Sequence, residues 1–147
     1  MLKVKITRIN DNHDLPLPIY STNGSAGMDI VAHLDKPIKI EAGKTVLVPT
    51  GLAIAVPDGF ECQVRSRSGL AAKHGIFALN SPGTIDSDYR GEIKVILSNF
   101  SENSFEINNG DRIAQLVVAK YEKVEWQLSD SLDDTERGDG GFGSTGI

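Results

Sequence analysis

Short runs in which apolar and polar residues alternate, separated by turns that contain Gly or Pro, constrain the fold of this chain more than any other feature. Such alternation is typical of half-buried β-strands, because successive side chains of a strand point to opposite faces. We predict strands over residues 2–6, 38–40, 45–48, 52–56, 60–64, 93–97, 105–107 and 113–121. Many short strands with Gly and Pro turns favour an all-β protein, a jelly-roll-like β-sandwich.

One short helix interrupts the β pattern, over residues 68–73, and we expect it to stop near His74 and Gly75. Ser68 can serve as its N-cap. The helix N-terminus beside Arg67 is also a potential anion site, since free N–H groups and the helix dipole attract negative charge. His74 fits a C-terminal cap better than a catalyst, and residues 108–110, Asn-Asn-Gly, predict a hairpin turn.

The composition indicates one globular domain and excludes several classes of function. A length of 147 residues allows a sizeable core, and a net charge of −5 argues against a broad basic surface for nucleic acid. Cys62 is the only cysteine, so no intrachain disulfide can form, and its phase within its strand predicts a core position. We find no signal-peptide pattern and no membrane-spanning apolar run, and therefore expect a cytoplasmic protein without membrane contact.

Common motifs of metal and nucleotide sites are missing from the chain. The three histidines, His13, His33 and His74, do not have the spacing of metal ligands. The sequence has no Gly-x-x-x-x-Gly-Lys-Ser/Thr loop, which excludes a P-loop NTPase.

The C-terminal part differs in composition from the rest. Residues 127–136 are polar and acidic, which predicts a linker after a core of residues 1–126. Residues 137–147 contain five glycines, a composition typical of a flexible tail. The same residues carry Arg137, Phe142 and two hydroxyl groups, which suit a lid that closes on phosphates and stacks on a ring.

Residues 83–91, Gly-Thr-Ile-Asp-Ser-Asp-Tyr-Arg-Gly, set two carboxylates, an aromatic ring and a guanidinium between two glycines. The segment precedes the strand predicted over residues 93–97, so it reads as a loop or hairpin. Asp86 on a rigid turn can take a proton from water, and Tyr89 can form a wall against a flat or sugar-shaped ligand. The alternative is a polar hairpin with a packed tyrosine and solvated charges.

Four more stretches set polar or charged side chains beside a turn, and most of them, taken alone, fit a structural role. They place Asp29 at the start of a strand, Asn80 shortly before the nonapeptide and Gln115 on the last strand. The adjacent Asp111 and Arg112, at the turn before Gln115, are interpreted as structural. The number of such stretches, more than any one of them, indicates a binding site.

In this order the stretches match all five motifs of a known family. They read AGMDI (26–30), RSGLA (67–71), GTIDSDYRG (83–91), GDRIAQL (110–116) and RGDGGFGSTG (137–146). On these motifs the chain resembles the trimeric dUTPase family, the deoxyuridine 5′-triphosphate nucleotidohydrolases. The resemblance implies a jelly-roll-like homotrimer with three active sites at subunit interfaces, each completed by the tail of another subunit. It also implies hydrolysis of dUTP to dUMP and pyrophosphate, which keeps uracil out of DNA and supplies dUMP for thymidylate synthesis.

The resemblance implies a role for each matched residue. Asp86 would be the catalytic general base that orients the water attacking the α-phosphorus. Tyr89 would pack beneath the deoxyribose, and Phe142 would close over the uracil. The residues implied for substrate binding are Arg67, Ser68, Gly69, Asn80, Thr84, Ile85, Asp86, Tyr89, Lys94, Gln115, Arg137, Phe142, Gly143, Ser144 and Thr145. Mg²⁺ would be held by phosphates and waters without a direct protein ligand, and Asp29 is a candidate partner of those waters.

Two other functions remain open from the sequence. The first is a dCTP deaminase-like enzyme, which would have the same fold. The complete tail motif and the Ile-Asp-x-Asp-Tyr arrangement favour hydrolysis instead. A non-catalytic dUTP-binding regulatory module is the alternative from another class, and the intact Asp86 and tail argue against it as the sole role.

Overall fold

The long strand β11 (Arg112–Lys120) lies at the centre of the largest sheet, in a computed structural model that describes residues 1–9 and 14–142. It pairs antiparallel with β2 (Met28–Val31) on one side and with β6 (Phe60–Arg65) on the other. β6 also pairs with β8 (Gly83–Ile85), so the sheet has the order β2–β11–β6–β8. Leu116 of β11 is buried, whereas Gln115 beside it is half-buried and lies on the outer face.

Seven further strands complete the fold among the described residues. Their bounds are β1 Lys5–Arg8, β3 Ile38–Ile40, β4 Thr45–Pro49, β5 Leu52–Ala55, β7 Ile76–Ala78, β9 Lys94–Asn99 and β10 Phe105–Ile107. A second sheet has the order β4–β9–β7, and two strand pairs join β1 to β5 and β3 to β10. Buried side chains from all these sheets share one apolar core, including Ile40, Leu52 and Leu97. The predicted all-β, jelly-roll-like sandwich is therefore confirmed.

The single helix of the described residues, α1 (Ser68–His74), follows β6 closely. Arg67 occupies its N-cap position with an extended backbone, and no side chain caps the helix. The prediction of Ser68 as the N-cap is therefore wrong, because Ser68 is already the first helical residue.

The C-terminal end of α1 is closed by Gly75 and not by His74. Gly75 has a φ of 66°, a left-handed conformation that glycine adopts without steric cost, and its N–H bonds back to the last turn. His74 is the last helical residue, and its ring centroid lies 5.2 Å from that of Phe105. The helix therefore ends where expected, at His74 and Gly75, but the capping residue is Gly75 and not His74.

The turn at residues 108–110 joins β10 to β11 without forming a hairpin, so the hairpin prediction is wrong. β10 pairs with β3, whereas β11 pairs with β2 and β6. The turn is held by another loop: Asn109 Oδ1 accepts from the N–H of Leu34 at 2.9 Å, and the N–H of Gly110 donates to the carbonyl of Ala32 at 2.8 Å. An Asn-Gly pair specifies a tight turn, but it does not specify the partner of the next strand.

The other predicted elements occur with ends that agree within two residues, except for the first strand. That strand begins at Lys5 and not at Leu2, because its partner β5 ends at Ala55, opposite Lys5. The short strands β7 and β8 were missed, because Ile-Phe-Ala contains no polar residue to alternate with and Gly-Thr-Ile begins with a glycine, which gives no apolar signal. β8 occupies the start of the nonapeptide, which is therefore part strand and part loop.

Cys62 has a relative exposure of 1% and belongs to the core, as predicted. Burial raises the pKa of its thiol to about 11, and the nearby Glu61 carboxylate adds to the shift. The thiol is therefore protonated and unreactive at neutral pH.

The chain leaves the sandwich after β11, and residues 122–139 are exposed. This segment carries three large apolar side chains on alternate residues, Val124, Trp126 and Leu128, which are 70%, 91% and 99% exposed. The predicted linker, residues 127–136, lies within this stretch, and its function and that of the tail remain predictions.

Asn99 is a fully hydrogen-bonded polar residue within the core, with a relative exposure of 2%. Its Nδ2 donates to the carbonyls of Ile40 and Asn103 at 2.9 and 2.7 Å, and its Oδ1 accepts from the N–H of Ser101 at 2.9 Å. We expect Asn99→Ala to lower the free energy of unfolding by about 2–4 kcal/mol, because buried partners lose their hydrogen bonds. Urea denaturation at a fixed protein concentration measures this.

The control is Asn23→Ala, at an exposed turn position, which should change the free energy of unfolding little. Equal stability of the two variants would show that the Asn99 network does not stabilise the fold.

Candidate active site

A cleft of about 370 Å³ opens beside β8 and the segment that follows it; we call it the β8 cleft. Six residues predicted for one site line it together: Asn80, Thr84, Ile85, Asp86, Tyr89 and Lys94. The rest of its wall comes from Leu47, Val64, Gly83, Glu92, Ile93 and Ile96. The cleft therefore combines an apolar wall with two carboxylates, an ammonium group and a phenol.

Asp86 is positioned by the strand that precedes it. β8 pairs with β6 in a register that sets Ile85 opposite Cys62, and the Ile85 side chain is buried. Asp86 is the next residue along the chain and is exposed at the wall of the cleft. The carboxylate thus follows an anchored strand end, as a general base requires.

The loop before β8 packs Asn80 closely against Gly83. A Cβ atom at Gly83 would lie 3.0 Å from Asn80 Nδ2 and 3.3 Å from its carbonyl oxygen. The missing side chain at Gly83 therefore allows the Asn80 loop to lie close to β8. The peptide bond between Ser81 and Pro82, within this loop, is cis.

The Tyr89 ring forms one wall of the β8 cleft and stays 45% exposed, so its face is available to a ligand. Its hydroxyl donates to the carbonyl of Glu92 at 3.0 Å, and its N–H donates to the carbonyl of Asp86 at 3.2 Å. A Cβ atom at Gly91 would lie only 2.6 Å from the Tyr89 ring carbon Cζ. Arg90 donates to the carbonyl of Ser87 at 2.7 Å and braces the turn.

Glu92 is a cleft residue that the sequence analysis missed. Its Oε1 accepts from the N–H of Gly51 at 2.9 Å, and its Oε2 lies 3.7 Å from Lys94 Nζ. The available signal was its spacing of two residues from Lys94, which places both side chains on one side of an extended chain.

A second cavity, of about 260 Å³, lies beside α1 and is lined by both Arg67 and Arg112. Asp29 binds both guanidinium groups: Arg67 Nε lies 2.9 Å from Oδ1, and Arg112 Nη1 lies 3.6 Å from Oδ2. Two cations share one carboxylate, so the cluster keeps a positive charge within an acidic chain. Asp111 keeps the structural role expected for it, since Oδ2 accepts from the N–H of Asn108 at 2.7 Å. Arg112 does more, because it joins the Asp29 cluster.

The remaining predicted phosphate contacts lie near this cluster. Ser68 and Gly69 are the first residues of α1, directly after Arg67, and both are exposed. Gln115 lies opposite Asp29 in the β11–β2 pairing. Gly27 leaves room for it, since a Cβ atom there would lie 2.9 Å from Gln115 Oε1.

The structure does not bring the tail to the β8 cleft of its own chain. Arg137 Nε donates to the carbonyl of Gly140 at 2.7 Å, and Phe142 is fully exposed. Neither side chain lines the cleft. Gly143, Ser144 and Thr145 lie outside the described residues.

Among residues 1–9 and 14–142, no three His, Cys, Asp or Glu side chains converge in a way that could hold a metal ion. No helix there has the length and apolar character needed to cross a membrane. The cytoplasmic location remains a prediction.

The sandwich has two cavities: the β8 cleft contains the exposed Asp86 carboxylate, and the second cavity is lined by Arg67 and Arg112. Such a pair suits a ligand with a flat polar part and an anionic part. The family model described as dUTPase matches residues 13–146, and the chain belongs to this family. The deoxyuridine 5′-triphosphate nucleotidohydrolase of Rickettsia felis is 58% identical over 145 residues, covering 99% of this chain and 97% of that protein. The Anaplasma marginale protein of the same name is 56% identical over 146 residues, covering 99% of each.

Solved structures share the fold. The Staphylococcus bacteriophage 80alpha dUTPase with dUPNHPP superposes with a TM-score of 0.87 at 23% identity, covering 100% of both chains. A mutant dUTPase from phage phi11 of S. aureus, described with a structural Mg(II) ion, has a TM-score of 0.79 at 19% identity, covering 90% of this chain and 100% of that one. The family expected from the five motifs is confirmed.

We expect Gly91→Ala to displace the Tyr89 ring, because the added methyl group would overlap it. The substitution should lower the free energy of unfolding by about 1–3 kcal/mol, the usual cost of overpacking. It should also alter the near-ultraviolet circular dichroism of the tyrosines. Gly24→Ala is the control, because a Cβ atom at Gly24 meets nothing within 4 Å. If both variants matched the parent protein, the contact between Gly91 and Tyr89 would have no structural importance.

Proposed function

We propose that the protein is a dUTP diphosphatase, which hydrolyses dUTP to dUMP and pyrophosphate. The observation that carries the proposal is the β8 cleft, in which Asp86 and Tyr89 lie together with Asn80 on an anchored strand and its loops. Relatives that are 56–58% identical over nearly the whole chain bear the corresponding name. The activity keeps uracil out of DNA and supplies dUMP for thymidylate synthesis.

Uracil is selected by the Asn80 loop and the main chain at Thr84 and Ile85. Uracil presents a carbonyl at position 4 and an N–H at position 3, whereas cytosine reverses this donor and acceptor pattern. Fixed polar partners would be left without hydrogen bonds by cytosine, which is a strong basis for rejection. A 5-methyl group on thymine would not fit if the loop closes tightly around the ring.

The deoxyribose packs on the exposed face of Tyr89, and Asp86 lies beside the 3′-hydroxyl and the attacking water. Asp86 accepts a proton from this water as its oxygen attacks the α-phosphorus in line with the leaving group. The bond from the α-phosphorus to the oxygen that bridges to the β-phosphate breaks. Pyrophosphate leaves with the electron pair of that bond, and the water oxygen remains in dUMP.

The triphosphate binds to the cationic cluster around Arg67, together with Ser68, Gly69 and Gln115. Asp29 holds the Arg67 guanidinium at 2.9 Å and so fixes its direction before substrate arrives. Lys94 adds a cation at the wall of the β8 cleft.

Mg²⁺ fits this arrangement as an ion held mainly by the three phosphates and waters, since it dehydrates reluctantly. When bound, it neutralises charge that develops on the phosphate oxygens. Asp29 remains the candidate partner of its waters, with the qualification that its two oxygens also face Arg67 and Arg112.

The assembly is a homotrimer in which each site takes residues from neighbouring copies. Two observations support this: the β8 cleft and the Arg67 cavity share no lining residue, and Phe142 is fully exposed in its own chain. Residues 137–147 close as a lid over a neighbour's site, with Phe142 over the uracil. Arg137, Gly143, Ser144 and Thr145 then lie near the terminal phosphates.

Pyrophosphate release from dUTP, dCTP, dTTP and UTP with Mg²⁺, with ammonia followed in parallel, tests the proposed function. We expect release from dUTP alone. Ammonia from dCTP would identify a deaminase. Binding of dUTP without turnover would identify a regulatory module.

We expect Asp86→Asn to lower kcat about 10²–10⁴-fold while dUTP still binds, because the amide keeps the shape of the carboxylate but cannot accept the proton. Steady-state kinetics and calorimetric binding measure the two quantities. The control is Asp58→Asn, at an exposed turn outside both cavities, which should leave kcat unchanged. Near-normal turnover by Asp86→Asn would refute the assignment of the base.

Deletion of residues 137–147 should lower kcat/KM strongly and leave the unfolding midpoint nearly unchanged. The reason is that these residues are proposed to close the site, and the described ones, 137–142, do not belong to the sandwich core. Kinetics and thermal unfolding of the truncated and full chains are the measurements. An unaltered rate would show that the segment is not a lid.

A further inference from the structure

Glu92 is the second carboxylate of the β8 cleft, besides Asp86, and the proposed mechanism gives it no role. An unneutralised carboxylate in a cleft that receives a highly anionic nucleotide should weaken binding, since like charges repel. Its position therefore needs an explanation in terms of what the side chain holds.

One oxygen of this carboxylate is fixed by the backbone. Glu92 Oε1 accepts from the N–H of Gly51 at 2.9 Å, and the side chain is only 21% exposed. Gly51 lies in the two-residue link between β4 and β5, directly before β5, so the bond ties the cleft wall to the sandwich. A hydrogen bond from an N–H group to an ionised acceptor is stronger than a neutral one, so the carboxylate is a fixed negative charge.

The other oxygen of Glu92 lies close enough to attract the Lys94 ammonium group, but too far away to accept a hydrogen bond from it. Glu92 Oε2 lies 3.7 Å from Lys94 Nζ, beyond the 2.7–3.2 Å of a hydrogen bond. Lys94 remains 45% exposed and keeps its three donors for another acceptor. A long, flexible side chain loses less rotamer entropy on binding when a nearby charge already restricts it.

We infer that Glu92 is a positioning residue, which holds the Lys94 ammonium at the wall of the β8 cleft so that Lys94 contacts the anionic part of the nucleotide. The inference rests on the proposed function. It assigns Glu92 no contact with the reacting atoms. The opposite arrangement, in which Glu92 sequesters Lys94 from substrate, would be expected to show a hydrogen-bonded pair.

A double-mutant cycle on the full-length protein tests the inference, with binding of dUpNHpp in the presence of Mg²⁺ measured by calorimetry. The variants are Lys94→Met, Glu92→Gln and the double variant. Glu92→Gln keeps an acceptor for the Gly51 N–H, so it preserves the structural bond and removes only the charge. If it fails to fold, Glu92→Met takes its place in the cycle, because methionine has a similar length and carries no charge.

We expect Lys94→Met to weaken binding of dUpNHpp in both backgrounds. The loss should be about two- to fivefold larger in the parent protein, which has Glu92, than in the Glu92→Gln variant, as for a partly exposed charge pair. In steady-state kinetics Lys94→Met should raise KM with little change in kcat, since the contact is made with bound substrate. A Lys94→Met penalty independent of residue 92 would overturn the inference. A penalty larger with Gln would show sequestration and overturn it equally.

The matched control is the pair Lys39 and Glu41, which has the same two-residue spacing and a 2.9 Å contact but lines neither site cavity. The cycle of Lys39→Met and Glu41→Gln should show no coupling in binding.

Measurements on the unmodified protein separate failure of the proposed function from failure of the Glu92 inference. If it neither binds dUpNHpp nor hydrolyses dUTP, the proposed function fails. If it does both and the Glu92 cycle shows no coupling, only this inference fails.

Discussion

The antiparallel pairing of β8 with β6 is the interaction on which both parts of the candidate site depend. Ile85 is buried opposite Cys62, and Asp86 follows directly at that end of the ladder. β6 runs the other way and continues into Arg67, so Arg67 and Asp86 leave the ladder at opposite ends. This opposition supports the proposed assembly, in which the carboxylate of one copy would meet the arginine of another. A shift of β8 by one residue along β6 would turn its buried side chains outward and displace Asp86 from the β8 cleft.

Local ion pairing explains how an acidic chain can offer a place for phosphates. The net charge is −5, yet Asp29 brings Arg67 and Arg112 together beside α1. Screening by salt limits the reach of the remaining surface carboxylates to about 10 Å, whereas direct contacts in a partly buried cluster are weakened less. The proposed anion binding would therefore be decided by a few fixed groups, and overall charge is a poor guide to it.

The sequence predicts those features that depend on neighbouring residues in the chain, such as strands and short motifs. Alternation located most strands, and the five motifs identified the family and, through residues 83–91, five of the residues that line the β8 cleft. Other features depend on contacts between distant segments. The Asn-Gly turn at residues 108–110 has the chemistry of a hairpin, but its strands pair elsewhere because the sandwich separates them. Strand β8 begins with a glycine, which hides its alternation, and the bond that fixes Glu92 joins it to Gly51, 41 residues away in the chain.

The exposed stretch after β11 gives the protein a built-in optical reporter. Trp126 is the only tryptophan of the chain, and it lies outside the sandwich with 91% of its surface exposed. Its fluorescence is therefore insensitive to the packing of the core and sensitive to whatever covers residues 124–128. Emission of Trp126 should shift to the blue if a neighbouring surface shields the indole from water. Tryptophan fluorescence would then report on shielding of this segment. Unfolding of the β-sandwich has to be followed by a different signal, such as far-ultraviolet circular dichroism.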